Sequence, residues 1–263
     1  MLAKLMKYEI KGTARIFIPL YLLLLLFALL NRIINPFSLL ENSDNFNLQV
    51  LFSIISVTVY FILIIGTFVM TLIIMIQRFY KNLLGDEGYL MFTLPVKSWQ
   101  HIVSKLIISM LWTILSFITA ICSILILVNV DNLSEVLSLF ISKFTDIFGT
   151  AGFFTLPYYA LIALISNILM IYGAIALGHT FSKHKLMASF GMYCILYVIY
   201  QVVMLLFILL FGKKNITSIV TSAAPSVLQI NTLILELSIP LIIILVANFI
   251  LTNTILRKKL NLE

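Results

Sequence analysis

Few residues in this chain have the types and spacing that chemistry needs. No Ser/His/Asp arrangement, pair of catalytic carboxylates or HExxH zinc signature occurs. His101, His179 and His184 lack metal-ligand spacing and lie near one membrane boundary, where headgroup or loop contact is expected. Cys122 and Cys194 both fall inside apolar runs and read as small buried hydrophobes rather than disulfide or metal partners. The run Gly173-Ala-Ile-Ala-Leu-Gly178-His179-Thr180 comes within one residue of the phosphate-cradling loop pattern. His179 stands where that loop requires Lys, however, and no strand precedes it. Small residues that let helices approach closely explain the run better. Neither a metal nor a cofactor is expected in this chain, and an intramembrane enzyme is opposed by the missing acid–base pairs.

The elements that carry these residues follow from composition. Of 263 residues, 62% are hydrophobic and 10% charged, and the mean hydropathy is +1.15. A water-soluble fold cannot hide that much apolar surface. Continuous runs such as Tyr21 to Leu30 and Leu241 to Val246 exclude the alternating pattern of a transmembrane barrel. Helices remain, because every backbone amide in lipid must be satisfied within its own segment. The expected fold is all-α integral membrane, a single six-span domain over 1–263. Its spans are expected at Ile16–Ile34, Leu48–Gln77, Ile102–Val128, Leu156–His179, Ser189–Phe211 and Thr232–Leu256. The second and third exceed the hydrocarbon thickness and should tilt or project.

The basic residues set the orientation. Lys4, Lys7, Lys11, Arg15, Arg78, Lys81, Lys97, Lys105, Lys183, Lys185, Arg257, Lys258 and Lys259 collect on one side. The other side holds only Arg32, Lys143, Lys213 and Lys214. The richer side is cytoplasmic by the positive-inside rule, which places both termini inside and the protein in a plasma membrane. This placement also accounts for the net charge of +7 without nucleic acid as a partner. The basic stretch before the first span is too long for a cleavable signal, and no small-residue cleavage site follows. Nothing argues for a eukaryotic source, so a bacterial one is expected, and the sequons at Asn132 and Asn215 carry no weight.

Three segments between spans have a character of their own. Met1–Arg15 sets Lys4, Lys7, Lys11 and Arg15 on one stripe and Leu2, Leu5, Met6 and Ile10 opposite. Such a helix is expected to lie along the inner membrane surface, and Glu9, within the apolar stripe, to face protein. Leu133–Phe148 keeps apolar residues at helical spacing and reads as an amphipathic helix at the outer interface. Gly212–Asn231 is semi-polar, broken by Pro225, and too short in its apolar part to cross, which suggests a re-entrant or capping element. Within the spans, Glu236 is the only acid, a turn or so from the outer end, and reads as reaching the interface or pairing with Arg32. The span centres hold no Asp, Glu, Lys, Arg or His. Ion-driven transporters carry such groups at depth, so any work done here needs an external motor. Asn167, Gln201 and Asn248 read as interhelical hydrogen-bond partners. Lining a substrate path, together with Glu236, is the alternative for them.

The loop Arg78–Lys105 carries the functional signal. Tyr89, Leu90, Met91, Phe92 and Leu94 cluster where water should be, preceded by Asp86 and Glu87 and closed by Pro95. An exposed apolar knob is a docking surface or dips into headgroups. Glu87-Gly88-Tyr89-Leu90, Thr93-Leu94-Pro95-Val96 and Lys105-Leu106 together resemble the loop between the second and third spans of ABC-2 type transporter permeases. The six-span layout, inside termini and amphipathic N-terminal helix resemble that family too. The resemblance implies that the loop forms a coupling helix seated on a separate cytoplasmic ATPase. Asp86, Glu87, Tyr89, Leu90, Phe92, Thr93 and Leu94 would then contact or brace that partner. It implies that Glu9 lies on a connecting helix beside the loop and that ATP and magnesium are bound by the ATPase. It also implies a second copy or a similar six-span permease as partner. Relatives export amphipathic peptides such as bacteriocins or antibiotics, small drugs, lipids and ions; an uncharged interior rich in Phe and Met favours something amphipathic. The competing reading is a non-transporting assembly or sensory membrane protein that docks a partner through the same loop.

Overall fold

The computed structural model describes residues 2–34, 36, 48–85, 97–127, 133–181, 184–212 and 226–258. Among these residues there are seven α-helices and no strand. They are α1 (Leu2–Ile34), α2 (Leu48–Phe79), α3 (Ser98–Leu127), α4 (Leu133–Phe148), α5 (Gly152–Gly178), α6 (Lys185–Phe207) and α7 (Val227–Lys258). Wider π-helical turns extend α2 over Tyr80–Leu84 and α6 over Ile208–Gly212. All but α4 are long and apolar enough to cross a membrane. Large apolar side chains stand outward along them, with Phe154 at 80% and Met187 at 77% exposure, a surface that only lipid or protein can cover.

The N-terminal segment departs from expectation. Met1–Arg15 was expected as a separate surface helix, but Leu2–Ile34 is one helix that runs through Pro19. No helix-breaking pair separates the basic segment from the apolar one, and α1 keeps one buried line from end to end. That line is Glu9, Thr13, Phe17, Leu24, Ala28 and Asn31, at the spacings of three, four and seven residues that one helix face presents. The semi-polar segment is likewise shorter than expected, because Val227–Asn231 already belongs to α7. Its entry is a reciprocal cap: the Ser226 amide donates to the Gln229 side chain at 2.9 Å and the Gln229 amide to Ser226 Oγ at 3.3 Å.

The chain divides into two compact units, Met1–Arg78 with Ile107–Leu133, and Phe79–Leu106 with Ser134–Glu263. In the first, α1, α2 and α3 are joined by a ladder of polar contacts. Trp112 Nε1 donates to Thr13 Oγ1 at 2.8 Å. Tyr21 and Thr71 each share a 2.8 Å hydrogen bond with Ser116. Ser56 donates to Asn31 Oδ1 at 2.8 Å, and Tyr60 meets Ser123 at 3.0 Å. Apolar packing between these rungs gathers Phe17, Ile74, Ile108 and Trp112 in one cluster and Leu24, Ala28 and Tyr60 in another. Lipid tails are as apolar as leucine, so such directional contacts fix which helices pair where burial alone would not. Thr13→Val should therefore cost about 0.6 kcal/mol in the native background and less in a Trp112→Phe background, where no donor is left unpaired, although Trp112→Phe itself costs packing against Phe17. A double-mutant cycle on unfolding in detergent measures this.

In the second unit α5 packs against both α6 and α7. Its C-terminal half buries Tyr172, Gly173, Ala174, Ile175, Ala176 and Gly178. A Cβ built on Gly173 would touch Thr252 Oγ1 at 3.4 Å and Asn248 Oδ1 at 3.6 Å, both on α7. One on Gly178 would overlap Ser189 of α6, including its backbone. The small-residue reading of Gly173 to Gly178 holds in this geometry.

Candidate functional site

The site of interest is where the loop between α2 and α3, the segment singled out by its sequence, is anchored. Residues 86–96 lie outside the described residues, and with them Asp86, Glu87, Tyr89, Leu90, Phe92, Thr93 and Leu94. Both stems of the loop are described, and within the second unit both rest on α5. Phe79, the last residue of α2, is fully buried and stacks on Tyr172 with ring centroids 4.0 Å apart and planes 9° from parallel. The next residue, Tyr80, lies over His179 at 5.6 Å. On the other stem, the Lys105 carbonyl accepts a 3.3 Å hydrogen bond from the Tyr172 hydroxyl. One tyrosine thus holds the exit of α2 with its ring and the entry of α3 with its hydroxyl.

A π-turn follows this anchor directly. An extra residue per turn re-aims the side chains that follow, and such turns cluster at functional sites. Here Asn82, Leu83 and Leu84 are buried. The helix stops at Gly85, whose backbone is extended and whose amide closes onto the Tyr80 carbonyl at 2.9 Å.

Within the first unit, a separate junction ties the start of α1 to the end of α2. Arg78 Nη1 lies 3.8 Å from Glu9 Oε2. The guanidinium rests on Gly12, where a Cβ would come within 2.8 Å of Nη2. Thr13, the next residue along, donates to the Glu9 carbonyl at 2.8 Å. Glu9 is buried, whereas Lys7, Lys11 and Arg15 are exposed. An acid in an apolar stripe is therefore matched by a basic partner, as a partly buried carboxylate requires.

The intramembrane polar residues fall into different environments. Asn167 is on the exposed face of α5, and its amide donates to the Ala163 carbonyl of its own helix at 2.9 Å, so among the described residues it does not join two helices. Gln201 is exposed on α6, and Glu236 is half-buried on α7. Asn248 is buried against Gly173. Cys122 and Cys194 are both exposed, so the expectation of small buried hydrophobes is corrected: apolar sequence around a cysteine marks lipid as readily as protein core. His101 and His179 are buried, and His179 meets Tyr80 of the Arg78–Lys105 segment, the loop contact that was one of its two expected settings.

Tyr172, Phe79, Gly12 and Arg78 had no functional reading in the sequence. Gly12 carried the one legible signal, a glycine inside a helix next to Lys11 of the basic stripe. The aromatic stack carried none, because Phe79 and Tyr172 are far apart in the chain and ordinary in their runs.

Six apolar spans, a backbone that is helical over nearly all of the described residues and outward apolar side chains define an all-α integral membrane protein. Comparison with models of known families, with curated proteins and with solved structures finds no match to the chain.

Proposed function

We propose that this chain is the permease subunit of an ATP-driven ABC-2 type exporter, carrying the pathway and taking its energy from a separate cytoplasmic ATPase. The observation that carries the reading is the loop sequence from Glu87 to Leu106, with its acidic-Gly-x-Leu stretch, Thr-Leu-Pro turn and Lys-Leu close. The anchoring of both stems on Tyr172 supports it, because a docked loop does work only if its motion reaches a stiff span. In this reading the basic side is cytoplasmic, both termini are inside, and the membrane is a bacterial plasma membrane. ATP and magnesium belong to the ATPase, and two permease copies, or this chain and a similar one, enclose the path. The cargo is an amphipathic peptide or antibiotic, matching an interior without ionisable groups at its centre.

Leu90→Asp and Phe92→Asp are expected to abolish co-purification of an ABC ATPase with this chain, while the chain still inserts in the membrane. Complex formation at the native level by both variants would refute the docking role. Capture of a partner that hydrolyses no nucleotide would instead favour an assembly or sensory protein.

A further inference from the structure

α4 is the one described helix that does not cross, and its surroundings say what it does instead. Along Leu133–Phe148, Val136, Leu137, Phe140, Ile141, Phe144 and Ile147 share one face. Ser134, Glu135, Ser138, Ser142, Thr145 and Asp146 share the other. Most of the apolar face is exposed, with Phe140 at 63% and Ile147 at 51% exposure, and only Phe144 on it is half-buried. Sixteen residues reach about 24 Å as a helix, short of the hydrocarbon layer. Spans stand immediately before and after it, α3 ending at Leu127 and α5 starting at Gly152, so α4 stays at the membrane face where both of them end.

Its attachment to α5 is built rather than loose. Asn231 of α7 is buried and donates from Nδ2 to the Phe148 carbonyl, the last residue of α4, at 2.7 Å. The same side chain accepts from Thr155 of α5 at 2.6 Å. Gly149 supplies the left-handed turn (φ 65°), and a Cβ there would lie 2.6 Å from Val227 Cγ1. Phe144 packs on Phe153 at 4.5 Å. The elbow between α4 and α5 is therefore clamped from α7, while residues 134–143 are exposed.

We propose that α4 is a lipid-binding arm, seated by its apolar face in the boundary between headgroups and acyl chains, and that this seating is independent of lipid charge. The polar face carries the reason. It is mostly hydroxyls, with Glu135 and Asp146 against the single Lys143, and offers anionic headgroups no attraction. Binding then rests on bulky residues such as Phe140 and Ile141 entering between acyl chains, so it responds to acyl packing. The Asn231 clamp passes the depth of the arm directly to α5. This assignment does not depend on what the protein transports.

The test uses the full chain with Cys122 and Cys194 changed to Ser, reconstituted in phosphatidylcholine vesicles. A single cysteine at Phe140 or at Ser138 carries an environment-sensitive fluorophore. At Phe140 the emission is expected to shift to the blue and to be quenched by lipids brominated on the acyl chain. At Ser138 neither effect is expected, and replacing half of the lipid with phosphatidylglycerol should change neither result. The proposal is overturned if the Phe140 probe escapes bromolipid quenching, or if it is quenched only with phosphatidylglycerol present. It is also overturned if Phe140→Cys without the label forms an efficient disulfide between copies, which would make the face a protein interface.

Discussion

Gly178→Ala will destabilise this protein, although alanine is the better helix former. Alanine for glycine inside a helix gains about 1 kcal/mol from propensity. At Gly178, however, the new Cβ overlaps the backbone of Ser189 as well as its hydroxyl. A backbone cannot rotate away as a side chain can, so α6 must move off α5 along its contact. Overpacking of this kind costs about 1–3 kcal/mol and outweighs the propensity gain. The loss is magnified in lipid, where apolar surface gains nothing from being buried and helix pairing rests on close van der Waals approach. Gly66→Ala and Gly191→Ala are the matched controls, because a Cβ at either meets nothing within 4 Å. Thermal unfolding of purified variants in one detergent should place Gly178→Ala clearly below the parent and the other two at or above it. Equal behaviour of all three would mean that α5 and α6 do not pack as described.

Tyr172→Ala should free both stems of the loop while Tyr172→Phe leaves them in place. Alanine removes the ring that stacks on Phe79 and leaves a void on the order of 100 Å³, worth about 2 kcal/mol at about 24 cal/mol per Å³. The transfer term that would enlarge this figure in water is small here, because the unfolded reference is itself in lipid. Phenylalanine keeps the stack and loses one long hydrogen bond to the Lys105 carbonyl, about 0.5 kcal/mol. Lys81 and Lys97 flank the loop and give trypsin a site on each stem. Cleavage there in intact protein should accelerate strongly in Tyr172→Ala and barely in Tyr172→Phe. If the phenylalanine variant cleaves as fast as the alanine variant, the hydroxyl and not the stack is the anchor. If neither accelerates, the stems are held elsewhere. In the exporter reading, Tyr172→Ala would also leave the ATPase bound but its hydrolysis uncoupled from transport, a combination that a docking defect does not produce.

The architecture was legible from composition because lipid imposes a simple rule. A chain that must satisfy every backbone amide inside its own segment can only form helices, and their number and rough ends follow from runs of about 20 apolar residues. The amphipathic α4 emerged with the bounds Leu133–Phe148 for a related reason: an interface between two solvents writes its period directly into residue type. Hydropathy also located where charge would sit, as with Glu9, but not what would meet it.

Partner choice was another matter. Inside a bilayer every outward leucine and every inward one are equally apolar, so the pattern that separates core from surface in a soluble protein vanishes. That is why Cys122 and Cys194 were assigned inward and are found outward, and why Asn167 was read as joining helices but bonds to its own. Which spans meet is decided by steric fit and by single hydrogen bonds between residues distant in the chain, such as Gly178 on Ser189, Trp112 on Thr13 and Tyr172 on Phe79. Those matches have no local signature, because the property that selects them is the shape of a second helix. Only the folded arrangement of α1 with α2 and α3, and of α5 with α6 and α7, supplies it.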